Sequence, residues 1–147
     1  MHLMGIAVRD RSRAPMRCVG EVEVTKESGI VEDSRGKPGK RQITVLSCLS
    51  WADVCEELEA HLPWTMRRAN IFLDSPRFNE SYVGKRIQIG DSVVLEITGE
   101  TTPCKRMGEQ HPGLEETLRP DWRGGVTCRV IEEGSIQVGD KVSFIEG

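Results

Sequence analysis

Cys104 stands in the stretch Thr98-Gly99-Glu100-Thr101-Thr102-Pro103-Cys104-Lys105-Arg106-Met107, with two cations directly after the thiol. Cations beside a cysteine favour the thiolate, the form that attacks electrophiles and ligates soft metals. Pro103 stiffens the approach to the thiol and removes one competing backbone donor. Residues 93–97 read as a strand, so Cys104 is expected in an irregular segment leaving its end, ahead of Gly108, Pro112 and Gly113. Strand exits are where rigid scaffolds carry functional groups. A small apolar residue closing a strand would look the same locally, and the stretch by itself leaves both readings open.

Two basic groups accompany it. Lys37, Lys40 and Arg41 surround a loop rich in Gly, Pro and charge, and Arg67 and Arg68 precede Asn70 at a strand entry. Free backbone N–H groups with adjacent cations can hold a phosphate or another oxyanion. Arginines suit planar, two-pronged contacts to such a group. The plainer account of each cluster is solvated surface charge. No Walker loop or GxGxxG fingerprint is present, so a nucleotide-binding fold is not supported. His61 and His111 have no partner at metal-ligand spacing, and a Cys104–His111 nucleophile–base pair needs the fold to bring the two together. The other cysteines, at 18, 48, 55 and 128, are scattered with no CxxC pair, which speaks against a disulfide scaffold or a structural zinc site. Each is expected to pack in the core.

The elements that must position these residues are mostly strands. Residues 3–8, 19–24, 41–47 and 70–73 are β-branched and partly alternating, while 31–40 can hold neither strand nor helix. One helix is expected where Trp51, Val54, Cys55, Leu58 and Leu62 share a face, with Ser50 as its N-cap and Pro63 as its stop. A shorter helical turn is expected through 114–118. The pattern Ile87-Gln88-Ile89-Gly90-Asp91-Ser92-Val93 returns as Ile136-Gln137-Val138-Gly139-Asp140-Lys141-Val142, and each copy reads as a hairpin at corresponding places in a small barrel. The expected fold is therefore mostly β: a closed or nearly closed small β-barrel with a few peripheral helices.

The 147 residues suit a single domain, 1–147. A formal charge of −3 argues against a non-specific nucleic-acid or membrane-surface binder. No apolar run reaches the length of a membrane span, and residues 1–10 lack a secretory signal. The expected setting is the cytoplasm, with reduced thiols.

Taken in order, four stretches resemble a stand-alone MOSC domain, the module also found at the C-terminal end of molybdenum cofactor sulfurases. They are Arg41 to Ser47 after Gly29-Ile30; Leu62-Pro63-Trp64-Thr65-Met66-Arg67-Arg68-Ala69-Asn70-Ile71; Ile89-Gly90-Asp91 through Pro103-Cys104-Lys105-Arg106-Met107; and Asp121-Trp122-Arg123-Gly124-Gly125-Val126 to Val138-Gly139-Asp140. The resemblance implies a MOSC-type β-barrel and singles out Cys104, either as a molybdenum ligand or as a sulfur carrier. It implies that an Arg-x-Asn element, here Arg68-Ala69-Asn70, helps hold the molybdenum cofactor, with Arg67, Lys40 and Arg41 as neighbouring cations. The longer reductases of the family carry an Arg-Cys pair followed by Asp-Pro; here Met107 follows Arg106 and the thiol lies two positions before that arginine. Two functions follow from the resemblance. One is a molybdenum-cofactor (molybdopterin) module that reduces N-hydroxylated small molecules with electrons from a redox partner. The other is a carrier that takes a persulfide on Cys104 from a pyridoxal-phosphate cysteine desulfurase.

Overall fold

In the computed structural model, residues 1–34 and 36–146 are described. The strands are β1 (Leu3–Arg9), β2 (Met16–Val19), β3 (Glu21–Thr25), β4 (Gly29–Ile30), β5 (Ile43–Ser47), β6 (Ile71–Leu73), β7 (Arg86–Ile89), β8 (Val93–Glu100), β9 (Val126–Glu132), β10 (Gly134–Gln137) and β11 (Val142–Ile145). The helices are α1 (Cys48–Leu58), α2 (Lys105–Gln110) and α3 (Leu114–Leu118). None of the described helices is long and apolar enough to cross a membrane.

An eight-stranded sheet runs β11-β7-β8-β9-β5-β6-β1-β2, and a three-stranded sheet runs β10-β3-β4. The fold is mostly β with peripheral helices, as expected, but the ladder does not close into a barrel. Instead the start of β1 meets the start of β11 through an isolated bridge between His2 and Lys141. Leu3 N donates to Asp140 O at 2.8 Å there, and Gly139 N to Leu3 O at 2.8 Å. The chain passes between sheets at Gly20, which splits the stretch read as one strand over 19–24 into parts of β2 and β3.

The repeated Ile-Gln-x-Gly-Asp pattern serves two different purposes. Its first copy is the expected hairpin, with Ile87 opposite Leu95 and Ile89 opposite Val93. In the second copy β10 pairs with β3 and β11 pairs with β7, so the turn carries the chain from the small sheet to the large one. A Gly-Asp turn permits a reversal, and the partners on either side decide whether the two strands pair.

Strand alternation divides the apolar residues between two cores. Ile43, Val45, Ile71, Leu73, Leu95, Ile97, Val126 and Cys128 fill the space between the sheets. Leu46 points the other way, to a second cluster with Trp51, Val54, Ala69, Met107, Leu114 and Leu118, where Phe72 packs too. This second cluster is what seats the three helices. α1 begins at Cys48 because β5 runs straight into it; Ser47 occupies the cap position and Ser50 is buried inside the helix. The helix ends at Glu59, whose left-handed backbone (φ 51°) turns the chain before Pro63 is reached. Trp51 Nε1 then donates to Leu62 O at 2.9 Å, so Leu62 completes the apolar stripe from outside the helix.

β5 and β6 are paired in parallel, with Val45 opposite Ile71. Parallel neighbours need a crossover, and α1 provides it. The consequence for function is positional. The crossover delivers Arg67, Arg68 and Asn70 to the entry of β6, close to the exit of β1, the entry of β5 and the exit of β8.

Candidate functional site

At this end of the large sheet lies a cleft with two compartments. The inner, of about 530 Å3, is lined by residues that include Arg9, Arg41, Arg67, Arg68, Asn70, Thr101 and Cys104. The outer groove, of about 720 Å3, is lined by Arg13, Pro15, Arg68, Cys104, Lys105, Arg106, Glu109 and Gln110. Cys104, Arg13, Arg68 and Arg106 belong to both.

Arg67 is 7% exposed. Its Nε donates to Gly124 O at 2.8 Å, and its Nη2 to Thr101 O at 3.1 Å and Thr101 Oγ1 at 2.8 Å. Among the described residues it has no carboxylate partner, and Nη1 is left without a protein acceptor. Burial lowers its guanidinium to about 10; a thiolate at Cys104 opposes the fall, and Arg41 and Arg9 add to it. It stays charged at neutral pH, as a buried cation that still lacks a counter-charge. The seat requires glycine at Gly124, where a Cβ would come within 2.3 Å of Thr101 O and 3.4 Å of the Arg67 guanidinium. Gly125, at φ 96°, lies against the Val45 carbonyl in the same way.

Arg9, at the end of β1, is 5% exposed and is paired with Asp33 through Nε at 3.2 Å. Asp33 Oδ1 also accepts from Arg9 N at 2.8 Å, so the loop after β4 is tied to this strand end. Arg9 Nη2 donates to Arg68 O at 3.4 Å. Arg68 itself adopts a left-handed backbone (φ 63°), as does Arg13 (φ 67°). A left-handed non-glycine costs energy and persists where its surroundings over-determine it, which is common at binding sites.

Asn70 is 2% exposed and acts as a staple. Its Oδ1 accepts from Thr44 N at 3.1 Å and from Thr44 Oγ1 at 3.2 Å, and its Nδ2 donates to Ala7 O at 3.3 Å. The side chain lines the inner compartment, yet these bonds stitch β6 to β5 and β1, which holds the Arg67-Arg68 turn in register.

Cys104 is exposed and caps α2 with an extended backbone. Its thiol makes no capping hydrogen bond. The segment expected to be irregular is helical from Lys105 to Gln110, with Met107 buried in the second cluster. Gln110 Nε2 donates to Met66 O at 2.8 Å and so ties the far end of α2 to the Arg67-Arg68 turn. His111 caps the other end of α2, roughly 10 Å along the helix axis from Cys104, so the two do not form a nucleophile–base pair. His61 lies outside both compartments.

Of the residues singled out by sequence, the fold brings Arg41, Arg67, Arg68, Asn70 and Cys104 to one cleft. Lys40 is exposed and outside the lining; its carbonyl accepts from Thr98 Oγ1. Lys37 is likewise exposed and outside it. Sequence reasoning missed Arg9, Arg13, Asp33 and Thr101. Arg9 ends an apolar strand and Asp33 sits in a loop 24 positions away, and nothing in the linear pattern joins them. Of the remaining cysteines, Cys128 is buried, and burial pushes its thiol up. Cys48 and Cys55 are half-buried, and burial raises Cys48 as well. Cys18 is exposed on β2 rather than in the core, because β2 is an edge strand with one face to solvent.

Comparison with known proteins follows the same lines. The family model of the MOSC domain matches residues 22–143. No curated protein sequence matches. Among solved structures, the YuaD protein from Bacillus subtilis is similar with a TM-score of 0.84 at 18% identity, over 99% of this chain and 96% of that one. YiiM from Geobacillus stearothermophilus is similar with a TM-score of 0.76 at 18% identity, over 99% of this chain and 75% of that one. YiiM from Escherichia coli gives 0.74 at 13% identity, over 100% and 71%. At such identities the likeness is one of fold.

Proposed function

Since the chain belongs to the MOSC domain family, we propose that its cleft holds the molybdenum cofactor, with Cys104 as the thiolate ligand of the metal. The supporting observation is the buried Arg67, which carries a positive charge without a carboxylate partner and keeps Nη1 unpaired beside the compartment that Cys104 also lines. A pterin phosphate supplies the missing counter-charge and acceptor, and Arg41 and Arg68 add donors from neighbouring walls.

The residues present fit that group. Among the described residues no cluster of three His, Cys, Asp or Glu is placed to hold a metal ion. Cys104 supplies one soft donor, so the metal's other ligands come with the organic part of the cofactor. When bound, the cofactor supplies two-electron redox chemistry. The protein's own part is electrostatic and positional. Arg67 orders Thr101, three residues before Cys104, and α2 directs the chain away behind the thiol. On this reading the module reduces N-hydroxylated small molecules with electrons delivered by a redox partner.

Metal and pterin analysis of wild type and Cys104→Ala, purified anaerobically from a host that makes the cofactor, tests the reading. Molybdenum and pterin are expected in wild type, with molybdenum lost in the variant. Wild type free of both would overturn it.

A second reading is supported by the exposure of Cys104 and its lack of a capping bond. A thiol at the rim can meet another protein's active site and carry sulfane sulfur as a persulfide from a cysteine desulfurase. The gain of one sulfur mass on Cys104 after desulfurase and cysteine treatment is then expected, in metal-free protein. An unmodified thiol would end this reading.

A further inference from the structure

The outer groove is not accounted for by a pterin phosphate in the inner compartment. Arg13, Lys105 and Arg106 line it, and none of them is engaged in an ion pair among the described residues. Glu109 is its one lining carboxylate. In a chain of formal charge −3 this is a local excess of cations over carboxylates among the described residues. Solvated surface cations usually stand apart or beside carboxylates, whereas these converge on a concave surface shared with Cys104.

The groove is also preset. Arg13 is held in the left-handed region at φ 67°, in a turn where Ala14 N donates to Arg11 O at 3.0 Å. The bond from Gln110 to Met66 fixes the other wall to the Arg67-Arg68 turn. Strain retained at the mouth of a cleft, with both walls tied down, is the arrangement of a binding surface rather than of a loose rim.

We propose that the outer groove binds the phosphate group of a phosphorylated small-molecule substrate, so that the substrate's reacting end faces Cys104. The inference rests on the reading of Cys104 as the reacting centre. A carboxylate is satisfied by one two-pronged arginine. Two guanidinium groups and an ammonium around one groove match the several oxygens and double charge of a phosphate monoester. The volume of about 720 Å3 leaves space for the organic part.

Calorimetric titration with phenyl phosphate tests this, with benzyl alcohol as the neutral control. Lys105 lines the outer groove alone and Arg41 the inner compartment alone, and both are exposed, so Lys105→Glu and Arg41→Ser separate the two sites without disturbing the core. Lys105→Glu is expected to weaken phenyl phosphate binding about tenfold or more, and Arg41→Ser to change it by less than about twofold. Benzyl alcohol is expected not to bind. Equal affinity in Lys105→Glu and wild type, loss in Arg41→Ser, or no binding by wild type at millimolar probe would each overturn the proposal. Molybdenum content is read on the same preparations. Its absence from wild type removes the cofactor reading and leaves the titration standing, whereas normal content with an unaffected Lys105→Glu titration removes the groove alone.

Discussion

On the sheet side of the cleft, Arg9 and Arg67 are almost sealed from solvent; Arg9 bonds to Asp33 and the Arg68 carbonyl, and Arg67 to Thr101 and the Gly124 carbonyl. On the α2 side, Cys104 and Lys105 are exposed, and the helix is anchored by Met107 beneath it and Gln110 at its far end. Both walls carry cations, but they are held for different reasons. The buried wall is part of the fold: its guanidiniums satisfy carbonyls that would otherwise be orphaned. The exposed wall contributes little to stability, and its charges and thiol are free to meet a ligand. Arg67 therefore couples the proposed cofactor seat to stability, whereas Cys104 and Lys105 can be changed with little effect on the fold.

The contrast can be broken most sharply at the thiols. In the native protein, iodoacetamide is expected to modify Cys104 and Cys18, while Cys128 reacts only in denaturant, because burial excludes the reagent and pushes the thiol up. Peptide mapping by mass spectrometry checks this, and rapid native labelling of Cys128 would show the sheet core to be more open than described. Arg67→Ala comes next. Removing it strands Thr101 O and Gly124 O in the interior, and a loss of about 3 kcal/mol in urea denaturation is expected.

Gly124→Ala tests the same seat from the other side. Its Cβ would press on the Thr101 carbonyl, with an expected cost of about 2 kcal/mol and an accompanying fall in bound cofactor. Smallest of all is the effect of Cys104→Ala on stability, expected within about 0.5 kcal/mol of wild type while molybdenum is lost. If Cys104→Ala were as destabilising as Arg67→Ala, the division between a structural and a functional wall would fall.

Much of this was legible in the residues alone. β1, β5, β6 and β8 lie where β-branched runs predict them, because a strand covered on both faces reads as a near-continuous apolar run. The convergence of Arg67, Arg68, Asn70 and Cys104 follows from the ordered resemblance to the MOSC family rather than from any local pattern. Helix α2 was not legible: a six-residue helix containing Gly108 has little intrinsic propensity, and burial of Met107 against α1 and α3 is what makes it form. Nor was the fate of the repeated Gly-Asp turn, since one copy has its strands paired together and the other has them claimed by β3 and β7.

By itself, then, the sequence determined most of the strands, helix α1 and the mostly β class, because hydrophobic period is a local property. Only the tertiary structure decided that the large sheet stays open, that Asn70 is a staple, and that Arg9 and Asp33 pair beneath the cleft. It also decided which cations are buried and which stay free. Those outcomes depend on contacts between residues dozens of positions apart, whose energy exists only once both have been brought to the same place and sealed from water.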